Sequence, residues 1–472
     1  MDGAVTARST SVVVVGAGPG GYEAALVARQ LGADVTIIDS DGVGGAAVLT
    51  DCVPSKTLIS TSTMMTALDR ARSLGVHVRA ADGVTELSVV AQADLGQVND
   101  RVIGLAQAQS DDIADRLVGE GVRLVRGRGR LLSASAVRAE LAEGGHEDFF
   151  ADVILLATGA QPRELASAVP DGERILTWKQ LYALEELPTK LVVVGSGVTG
   201  AELAHAYLAL GCQVALVSSR DQVLPGEDSD AARVIEDVFR RRGMEVLSRS
   251  RAASVTRTAD GVAVALEDGR VVTGSHALMA VGSVPRTSGL GLAEVGVSVS
   301  SGGYVEVDGV SRTTARGVYA AGDCTGVLPL ASVAAMQGRI AMWHALGDAV
   351  SPLNLGVVCA NIFTDPQIAT VGCSQADVDS GRVDARTVML PLATNPRAKM
   401  DGFDDGFVKL FASTGVGTVV GGVIVAPRAS ELIYAVALAV QHHLTVDQLA
   451  STFTIYPSLT GSIAEAARRL HS

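Results

Sequence analysis

The sequence predicts an α/β protein in which one unit, made of a strand, a glycine-rich turn, a helix and a second strand, occurs twice. Residues 11–40 and 191–220 each begin with a β-branched apolar run, continue through glycines spaced G-x-G-x-x-G, and end in a second apolar run. The chain has 472 residues, too many for one hydrophobic core, which predicts roughly three domains. Its 52 glycines and its aromatic content of only 4% also fit an α/β fold.

The first copy of this unit has the features of a dinucleotide-binding turn. The valines at 12–15 predict a strand that is buried on both faces. Gly16 allows a tight turn, Gly18 lets the backbone approach a pyrophosphate, and Gly21 lets the helix pack on the strand. The helix N-terminus then faces the phosphates. Asp39, about 20 residues further on, suits a ribose hydroxyl. The unit therefore predicts a bound dinucleotide.

The second copy repeats this spacing at Gly195, Gly197 and Gly200, about 180 residues after the first. A single G-x-G-x-x-G is a weak signal, but two complete copies in one chain are a specific one. Because each copy holds one nucleotide, the pair predicts a chain that passes electrons between two dinucleotides.

The end of the second copy predicts which nucleotide binds there. Its second strand ends in Ser218, Ser219 and Arg220, with no carboxylate. An acid at this point would bond the ribose 2′-hydroxyl and repel a 2′-phosphate, whereas small hydroxyls and an arginine accept the phosphate. We therefore expect NADPH to be used at least as well as NADH. The alternative is an Arg220 that points to solvent.

Charge and cysteine usage exclude several classes of protein. The net charge of −13 and the pI near 5.1 argue against nucleic acid as a partner. The basic stretch at 123–130 predicts a solvated strand or hairpin. The cysteines, at positions 52, 212, 324, 359 and 373, show neither C-x-x-C nor zinc-ligand spacing, so we expect a reducing compartment and no metal site. The sequence shows no membrane span and no signal peptide, and we expect a cytoplasmic protein.

Further motifs follow one another in the order of a known family. They are "GGAAVLTDCVPSK" (44–56), "VILLATGAQPR" (153–163), "GSGVTGAE" (195–202), "LMAVGSVPRT" (278–287), "SRTTARGVYAAGDC" (311–324), "NIFTDPQIATVG" (361–372) and "TFTIYPSLTGSI" (452–463). In this combination the chain resembles the flavoprotein disulfide reductases, the family of lipoamide dehydrogenase and glutathione reductase, with a soluble transhydrogenase branch. The resemblance covers essentially the whole chain.

The resemblance implies FAD together with NADPH or NADH as cofactors, and a homodimer. It implies a FAD-binding domain at 1–164, an NAD(P)H-binding domain at 165–288, a second part of the FAD and central domain at 289–354, and an α+β dimerisation domain at 355–472. The implied fold is thus two Rossmann-like dinucleotide-binding domains followed by a dimerisation domain, whose last segment completes the partner's active site.

The resemblance also implies which residues form the site. FAD would be held by Gly16, Gly18, Gly21, Asp39, Gly45, Lys56, Thr158, Gly159 and Asp323. NAD(P)H would be held by Gly195, Gly197, Gly200, Ser218, Ser219, Arg220 and Gly282. Lys56 and Glu202 match the pair beside the flavin N5 edge, where a lysine favours the negative charge arriving with hydride and a buried glutamate keeps it charged and oriented. Cys52 and Tyr456 match the other catalytic positions.

The chain departs from the family at its redox cysteines. A disulfide reductase stores two electrons in a Cys-x4-Cys pair, and the match places Cys52 at the flavin-side position and Ala47 at the substrate-exchange position. A redox disulfide would need a distant cysteine whose Cα lies within about 7 Å, and Cys324 is the one candidate we consider. Pro54 suits a helix's first turn, so the Cys52 thiolate could be stabilised by the helix N-terminus; a buried, inert thiol is the alternative.

The chain departs again at the C-terminal catalytic base. The family's histidine, which precedes a proline, is Tyr456 here, and the glutamate five residues later is Gly461. A phenol with a pKa near 10 is about 0.1% ionised at pH 7 and cannot replace an imidazole as the base of a thiol. These losses agree with the loss of a sulfur, and we expect the disulfide-reducing half-reaction to be absent.

The leading hypothesis is an NAD(P)H:quinone oxidoreductase, because quinones take electrons from reduced flavin without an exchanging thiol or a histidine base. The former disulfide channel near Tyr456 would be a slot for a flat acceptor. One alternative is a soluble pyridine-nucleotide transhydrogenase. Another is a single-cysteine peroxidase or oxidase in which Cys52 cycles through sulfenic acid. A further alternative is not an enzyme at all but a flavin-containing binding protein with only vestigial turnover.

Overall fold

The structure is a computed structural model that describes residues 9–77 and 91–471. The described residues form two compact units, each assembled from three stretches of chain. The first unit takes its residues from Met1–Ser55, Asp100–Arg163 and Gly282–Leu353. The second unit takes its residues from Lys56–Asn99, Glu164–Val281 and Asn354–Ser472. The four-part division inferred from the sequence remains a prediction.

The elements are numbered along the chain. The α-helices are α1 (Pro19–Gln30), α2 (Gly45–Leu49), α3 (Cys52–Ala71), α4 (Leu95–Gly119), α5 (Val198–Ala209), α6 (Ser229–Arg241), α7 (Leu292–Val295), α8 (Ala331–Ala345), α9 (Gln375–Asp379), α10 (Pro396–Met400), α11 (Ala429–Gln441), α12 (Val446–Ser451) and α13 (Gly461–Leu470). The strands are β1 (Ser11–Val15), β2 (Asp34–Asp39), β3 (Arg123–Ser133), β4 (Ala136–Leu141), β5 (His146–Phe150), β6 (Val153–Leu156), β7 (Ala160–Pro162), β8 (Ile175–Thr177), β9 (Lys190–Val194), β10 (Gln213–Val217), β11 (Glu245–Leu247), β12 (Ala252–Arg257), β13 (Val262–Leu266), β14 (Val271–Gly274), β15 (His276–Met279), β16 (Ser283–Pro285), β17 (Val318–Ala320), β18 (Cys359–Ile362), β19 (Gln367–Gly372), β20 (Ala385–Pro391), β21 (Phe407–Ser413) and β22 (Val419–Ala426).

The first unit is built on a seven-stranded sheet in the order β17-β6-β1-β2-β3-β4-β5. β1 lies parallel to β2 and β6, with Val14 opposite Ile37 and Leu155. β17 pairs in parallel with β6, and β3 pairs in parallel with β2. Beyond β3, the strands β4 and β5 complete the sheet in antiparallel orientation. The predicted unit at 11–40 is therefore β1, α1 and β2. The basic stretch at 123–130 lies within β3, with its arginines exposed, as predicted.

Both faces of β1 are buried, which is the reason for its unbroken run of valines. Val12 and Val14 belong to one core cluster, together with residues of α1 and α8. Val13 and Val15 belong to another, which lies on the opposite face of the sheet. Burial of a valine side chain contributes about 1.5–3 kcal/mol, so this short strand anchors two cores at once.

The described residues of the second unit form three sheets. The parallel sheet has the order β11-β10-β9-β15-β8 and includes the second predicted unit as β9, α5 and β10. A three-stranded antiparallel sheet, β12-β13-β14, lies in the same part of the chain. The C-terminal stretch forms a five-stranded antiparallel sheet, β18-β19-β22-β21-β20, whose core includes residues of α11 and α13. The predicted fold class, two parallel α/β units followed by an α+β C-terminal part, is confirmed.

A buried ion cluster lies in the second unit, and the sequence did not predict it. Lys409, on β21, is 1% exposed. Its Nζ lies 2.7 Å from Asp228 Oδ2 and 2.7 Å from Asp230 Oδ2. The Asp228 carboxylate also caps α6, because its Oδ1 accepts the N–H groups of Asp230 and Ala231. One lysine therefore neutralises two carboxylates that begin a helix.

The chain exposes a run of large apolar side chains near its C-terminus. Phe453, Ile455 and Tyr456 are 102%, 81% and 83% exposed. Clustered exposed apolar side chains of this size mark interaction surfaces more often than free surface. They lie in the C-terminal segment that, according to the resemblance, completes the active site of the partner subunit.

Candidate active site

The glycines of the first copy shape an open turn at the start of α1. Gly16 has a φ of 104°, and a Cβ there would lie 2.3 Å from the Ala157 carbonyl oxygen, so only glycine fits. A Cβ on Gly21 would lie 1.9 Å from the Gly16 oxygen, which confirms close packing of helix on strand. Gly18, directly before α1, has no atom within 4 Å of a Cβ position. The N-terminus of α1 therefore faces open space, where a phosphate could bind.

The second copy has the same geometry in the second unit. Gly195 has a φ of 112°, and a Cβ there would lie 2.1 Å from the Ala280 oxygen. A Cβ on Gly200 would lie 1.9 Å from the Gly195 oxygen, and Gly197 precedes α5 with open space around it. The structure thus contains two turns of the kind that accept a dinucleotide pyrophosphate.

A cavity of about 560 Å³ opens in the first unit beside the first turn. It brings together most of the residues predicted to hold FAD. Those lining it are Gly16, Gly18, Asp39, Gly45, Thr158, Gly159 and Asp323. Cys52 and Ala47 also line it. Gly21 lies behind the turn, where it packs on Gly16, and its role in holding FAD stays a prediction.

Asp39 ends β2 at the edge of the cavity and holds the neighbouring loop in shape. Its Oδ2 accepts the Ala17 N–H at 2.7 Å, and its Oδ1 accepts the N–H groups of Asp41 at 2.7 Å and Gly42 at 2.6 Å. Burial raises the pKa of this carboxyl, although the three N–H donors act in the opposite direction. A carboxylate already oriented by backbone donors is well placed to accept bonds from ribose hydroxyls.

The cavity wall is rich in carboxylates. Asp51 and Asp323 line it, and the pKa of Asp323 is raised first by burial and then by the charge of Asp51. Asp41 and Arg286 also line it, and they form an ion pair in which Nη1 and Oδ2 are 2.5 Å apart. Arg128 adds a second arginine to the wall. The sequence motifs did not point to Asp51, Arg128 or Arg286, because a lining role is visible only once the strands are assembled.

Lys56 and Glu202 are brought together in the second unit, as the resemblance implies. Lys56 Nζ donates to Glu202 Oε2 at 2.8 Å. Glu202 is 2% exposed, and its Oε1 accepts the backbone N–H of Phe363 at 2.8 Å. The lysine also lies over the Phe363 ring, 5.1 Å from its centroid. The backbone contact fixes the carboxylate, and sequence reasoning had not assigned a role to Phe363.

His205 lies one turn after Glu202 on α5 and is completely buried. Neither of its ring nitrogens has a hydrogen-bond partner among the described residues, and the ring stacks on Phe239 with centroids 6.1 Å apart. Burial, followed by the charge of Arg242, lowers the pKa of the imidazole from 6.5 to about 4. The folded protein therefore holds this histidine neutral.

Replacement of His205 by leucine is expected to remove part of the acid sensitivity of folding. The pKa of His205 is lower in the folded protein than in the unfolded chain, so below pH 6.5 the unfolded chain takes up a proton that the folded protein does not. The free energy of unfolding is therefore highest above pH 6.5, and it falls by up to about 3 kcal/mol as the pH drops toward 4. Urea denaturation at several pH values should show this slope in the parent protein and a shallower slope in His205→Leu. An identical slope in both proteins would mean that His205 is not the group that takes up the proton.

The loop after β10 carries three of the residues predicted to bind NAD(P)H. Ser218 is buried, and its hydroxyl lies 2.7 Å from the Ser196 hydroxyl and accepts the Arg220 N–H at 3.2 Å. These contacts hold the loop in shape, and the role of Ser218 in binding the nucleotide stays a prediction. Ser219 and Arg220 are exposed.

Gly282, which the resemblance assigns to NAD(P)H binding, belongs to the first unit. It has a φ of 92°, and its carbonyl accepts the Arg163 N–H.

The two positions assigned to the redox cysteines lie on successive helices. Cys52 is the first residue of α3, with Pro54 in the same turn, and Ala47 lies within α2. None of the five cysteines, all within the described ranges, forms a disulfide in the structure. Cys324 is buried in the core, where its thiol donates to the Ala321 carbonyl at 3.3 Å and burial raises its pKa to about 11. Cys324 is therefore not bonded to Cys52.

The C-terminal positions also lack a base. Tyr456 is exposed, and Gly461 begins α13 with its N–H bonded to the Ser458 hydroxyl. A Cβ on Gly461 would meet only that hydroxyl, at 3.9 Å, so the backbone does not require glycine there. Asn395 anchors the segment by donating to the Ser458 carbonyl and to the Ser462 hydroxyl.

Comparison with known proteins agrees with this arrangement. The family model for pyridine nucleotide-disulphide oxidoreductases matches residues 10–338, and the model of their dimerisation domain matches residues 358–467. The chain belongs to the pyridine nucleotide-disulphide oxidoreductase family. The resemblance to flavoprotein disulfide reductases is thereby confirmed, and the second match fits a homodimer.

Several members of the family are similar along their whole length. The chain is 56% identical over 470 residues to a protein of Mycobacterium tuberculosis named NAD(P)H dehydrogenase (quinone), covering 98% of this chain and 94% of that one. It is 33% identical over 468 residues to dihydrolipoyl dehydrogenase of Haloferax volcanii, covering 98% and 96%.

Solved structures of the family have the same fold. The crystal structure of LpdA from Mycobacterium tuberculosis matches with a TM-score of 0.93 at 55% identity, covering 98% of this chain and all of that one. The Cu(II) complex of the Escherichia coli flavoprotein disulfide reductase RclA matches with a TM-score of 0.86 at 21% identity, covering 98% of this chain and 100% of that one. The RclA match concerns the fold alone.

The family uses FAD and NAD(P)H, and the chain is a pyridine-nucleotide flavoprotein oxidoreductase. The first-unit cavity fits FAD, because it combines an open helix N-terminus at Gly18 with the oriented carboxylate of Asp39. Among residues 9–77 and 91–471, no cluster of three or more His, Cys, Asp or Glu side chains is placed to hold a metal ion. No helix in the same ranges has both the length and the apolar character needed to cross a membrane.

Proposed function

We propose that this protein passes two electrons from NADPH or NADH, through FAD, to a quinone-type acceptor, and that it does not reduce disulfides. The observation that carries the proposal is Ala47, which lines the cavity at the position where the family's substrate-exchanging cysteine would stand. The replacements at Tyr456 and Gly461 support it, since they remove the base that thiol chemistry needs. The name of the Mycobacterium tuberculosis relative, NAD(P)H dehydrogenase (quinone), supports the choice of acceptor.

The proposed reaction is NADPH + H⁺ + quinone → NADP⁺ + hydroquinone. FAD, when bound, accepts hydride from the nicotinamide and returns two electrons to the acceptor. The Lys56 ammonium offsets the negative charge that arrives with the hydride. Glu202 keeps that lysine charged and oriented, and the Phe363 N–H keeps Glu202 in place. These residues handle the reductive half of the cycle and need no sulfur.

The remaining residues of the site are assigned by position. The cavity residues of the first unit bind FAD, and Gly195, Gly197 and Gly200 bind the nicotinamide nucleotide at the start of α5. Cys52 lines the cavity as a packing or tuning group. The stretches 1–164, 165–288, 289–354 and 355–472 are the FAD, NAD(P)H, central and dimerisation domains, and the exposed side chains at 453–456 face a second copy of the chain.

Replacing Arg220 by alanine tests the nucleotide preference. We expect kcat/KM for NADPH to fall about tenfold and kcat/KM for NADH to change less than about twofold, because a charge-assisted contact to the 2′-phosphate is lost. Arg233→Ala, at another exposed arginine of the second unit, serves as the control. Equal losses for both nucleotides, or a strong NADH preference in the parent protein, would contradict the assignment.

An acceptor panel tests the proposed function directly. The purified flavoprotein is reduced anaerobically with NADPH and mixed rapidly with a naphthoquinone, lipoamide, glutathione disulfide, a thio-nicotinamide nucleotide or peroxide, while the flavin absorbance is followed. We expect rapid reoxidation by the quinone and none by the disulfides, both in the parent protein and in Cys52→Ser. Reoxidation by a disulfide would refute the proposal, and loss of peroxide turnover only in Cys52→Ser would indicate the peroxidase alternative.

A further inference from the structure

Gln337 is a buried glutamine on α8, and the mechanism above gives it no role. It is 2% exposed, although glutamine side chains lie mostly at protein surfaces. Ala334, one turn earlier on the same helix, lines the FAD cavity. A buried amide is costly unless its oxygen and nitrogen are hydrogen-bonded, so the partners of Gln337 indicate what it holds in place.

Both partners of the Gln337 amide belong to one short turn, the Asp323 turn (residues 322–325), which contains the 3₁₀ helix at Asp323–Thr325. Gln337 Oε1 accepts the Gly322 N–H at 2.9 Å, and Gln337 Nε2 donates to the Thr325 hydroxyl at 3.4 Å. The Thr325 hydroxyl donates in turn to the Gly322 carbonyl at 2.7 Å. These three hydrogen bonds fix the chain on both sides of Asp323.

The helix that carries Gln337 is itself fixed against α1. A Cβ on Gly338 would lie 2.0 Å from the Gly20 carbonyl oxygen, so the two helices approach backbone to backbone. Beside this contact, Arg339 Nη2 lies 2.8 Å from Glu23 Oε2. Gln337 therefore connects the Asp323 turn to the helix that carries the first glycine-rich turn (residues 16–21).

Asp323 is half-buried and lines the cavity, where its carboxylate can accept hydrogen bonds from a ligand. FAD carries hydroxyl groups in two places, on the adenosine ribose and on the ribityl chain. The ribose of a dinucleotide bound at such a glycine-rich turn lies at the acid that ends the second strand, which is Asp39 here. The ribityl hydroxyls are the donors that remain for Asp323.

We propose that Gln337 is a positioning residue for FAD, whose amide holds the Asp323 turn so that the Asp323 carboxylate accepts the ribityl hydroxyls. The inference rests on the assignment of the cavity and of Asp323 to FAD in the proposed function, and it does not depend on the electron acceptor. Hydrogen bonds to a carboxylate are strong and directional, so a displaced turn weakens FAD binding. Ligands without a ribityl chain, such as ADP, gain nothing from Gln337.

Gln337→Met tests this role, because it removes both hydrogen bonds of the amide and keeps a side chain of similar length and volume. The holoenzyme is diluted, and the FAD that dissociates is measured by the fluorescence of free flavin. We expect the dissociation constant of FAD to rise about tenfold, the effect of weakening hydrogen bonds to one charged group. An unchanged dissociation constant would refute the proposal.

Displacement of FAD by ADP separates positioning from general damage to the cavity. ADP can occupy the first glycine-rich turn and Asp39, but it has no ribityl chain. Since only FAD binding should be weakened, half-displacement of FAD from the Gln337→Met holoenzyme should need about tenfold less ADP than from the parent holoenzyme. Damage to the whole cavity would weaken both ligands, so an unchanged ADP requirement would contradict the positioning role.

The matched control is Tyr319→Phe, which removes a hydrogen bond made by the other end of α8. The Tyr319 hydroxyl, on β17 of the same unit, lies 2.9 Å from Nδ1 of His344 on α8. We expect the FAD dissociation constant and the ADP requirement to stay within about twofold of the parent values, because the two sites share no partner. A loss as large as that of Gln337→Met would mean that any disturbance of α8 weakens FAD binding, which would overturn the proposal.

Thr325→Val disturbs the same turn without changing Gln337, and it decides the question if Gln337→Met does not fold. It removes the hydroxyl that joins the Gln337 amide to the Gly322 carbonyl. We expect weaker binding of FAD and an ADP requirement that falls in proportion. FAD binding equal to that of the parent protein would count against the proposal.

A double variant tests whether Gln337 acts through Asp323. Asp323→Asn alone should weaken FAD binding, and addition of Gln337→Met should weaken it by less than about twofold more, because the carboxylate that Gln337 positions is already absent. Losses that simply add would refute this route.

The two proposals fail separately. These measurements involve no electron acceptor, so a parent protein that binds FAD but reduces no quinone would contradict only the proposed function. FAD affinity that is unchanged in Gln337→Met and Thr325→Val would contradict only the role of Gln337.

Discussion

Replacement of Lys409 by methionine is expected to lower the free energy of unfolding by about 3–5 kcal/mol. Lys409 and Asp228 are almost completely buried, with side-chain exposures of 2% and 3%, and Asp230 is 33% exposed. Loss of the ammonium leaves two neighbouring carboxylates without their shared cation at the start of α6. A methionine fills a similar volume, so the loss measures charge rather than a cavity.

Urea denaturation followed by circular dichroism would measure this effect. The matched control is Lys190→Met, which removes a lysine from a partly exposed pair with Glu245 and should cost less than about 1 kcal/mol. A triple variant, with Lys409→Met combined with Asp228→Asn and Asp230→Asn, should recover much of the loss, because no uncompensated charge remains. A loss below about 1 kcal/mol in Lys409→Met would contradict the prediction.

The same variant should change the response to acid. The Lys409 ammonium is the first cause of the lowered pKa of Asp230. A lowered folded-state pKa contributes stability above the unfolded value near 3.9, and this stability is lost as the pH falls through the folded value. In Lys409→Met that contribution should disappear, so the variant and the parent protein should approach each other in stability at low pH.

Replacement of Glu202 by glutamine is expected to slow reduction of the protein by NADPH about 10²-fold. The amide keeps the shape of the carboxylate but lacks the charge that orients Lys56, and it can still accept the Phe363 N–H. Anaerobic rapid mixing with NADPH, followed by the flavin absorbance, measures the rate. Glu202 acts through Lys56, so reoxidation by ferricyanide and the dissociation constant of NADPH should change less than about threefold.

The control for Glu202 is Glu245→Gln, which removes the carboxylate of the more exposed lysine pair in the same unit. It should leave the reduction rate unchanged. Glu202→Asp, which keeps the charge on a shorter side chain, should recover part of the rate. Equal slowing of reduction and reoxidation would mean that Glu202 only maintains the fold, and an unchanged reduction rate would remove Lys56 and Glu202 from the mechanism.

The fold class, the two nucleotide units and the departures from the family could be predicted from the sequence alone. These features depend on local chemistry: runs of valine form strands buried on both faces, and the glycine spacing suits one kind of turn. Gly16 is an example, because the tight turn inferred from spacing appears as a φ that only glycine adopts readily. The replacements at Ala47, Tyr456 and Gly461 could be recognised from the motifs alone, and their expected consequence follows from the chemistry of the groups that are missing.

Only the tertiary structure decided several of the contacts between distant residues. The family resemblance had already paired Lys56 with Glu202, which is 146 residues away, but the backbone N–H of Phe363 that holds Glu202 comes from a third segment and was not expected there. Ser218 is buried with its hydroxyl hydrogen-bonded to that of Ser196, a contact that no residue pattern predicts. Asp51 reached the cavity wall, and Lys409 reached its two aspartates, only through the packing of separate elements. The burial of a side chain and the charges near it depend on the folded chain, because residues that are distant in sequence become neighbours only when the fold brings them together.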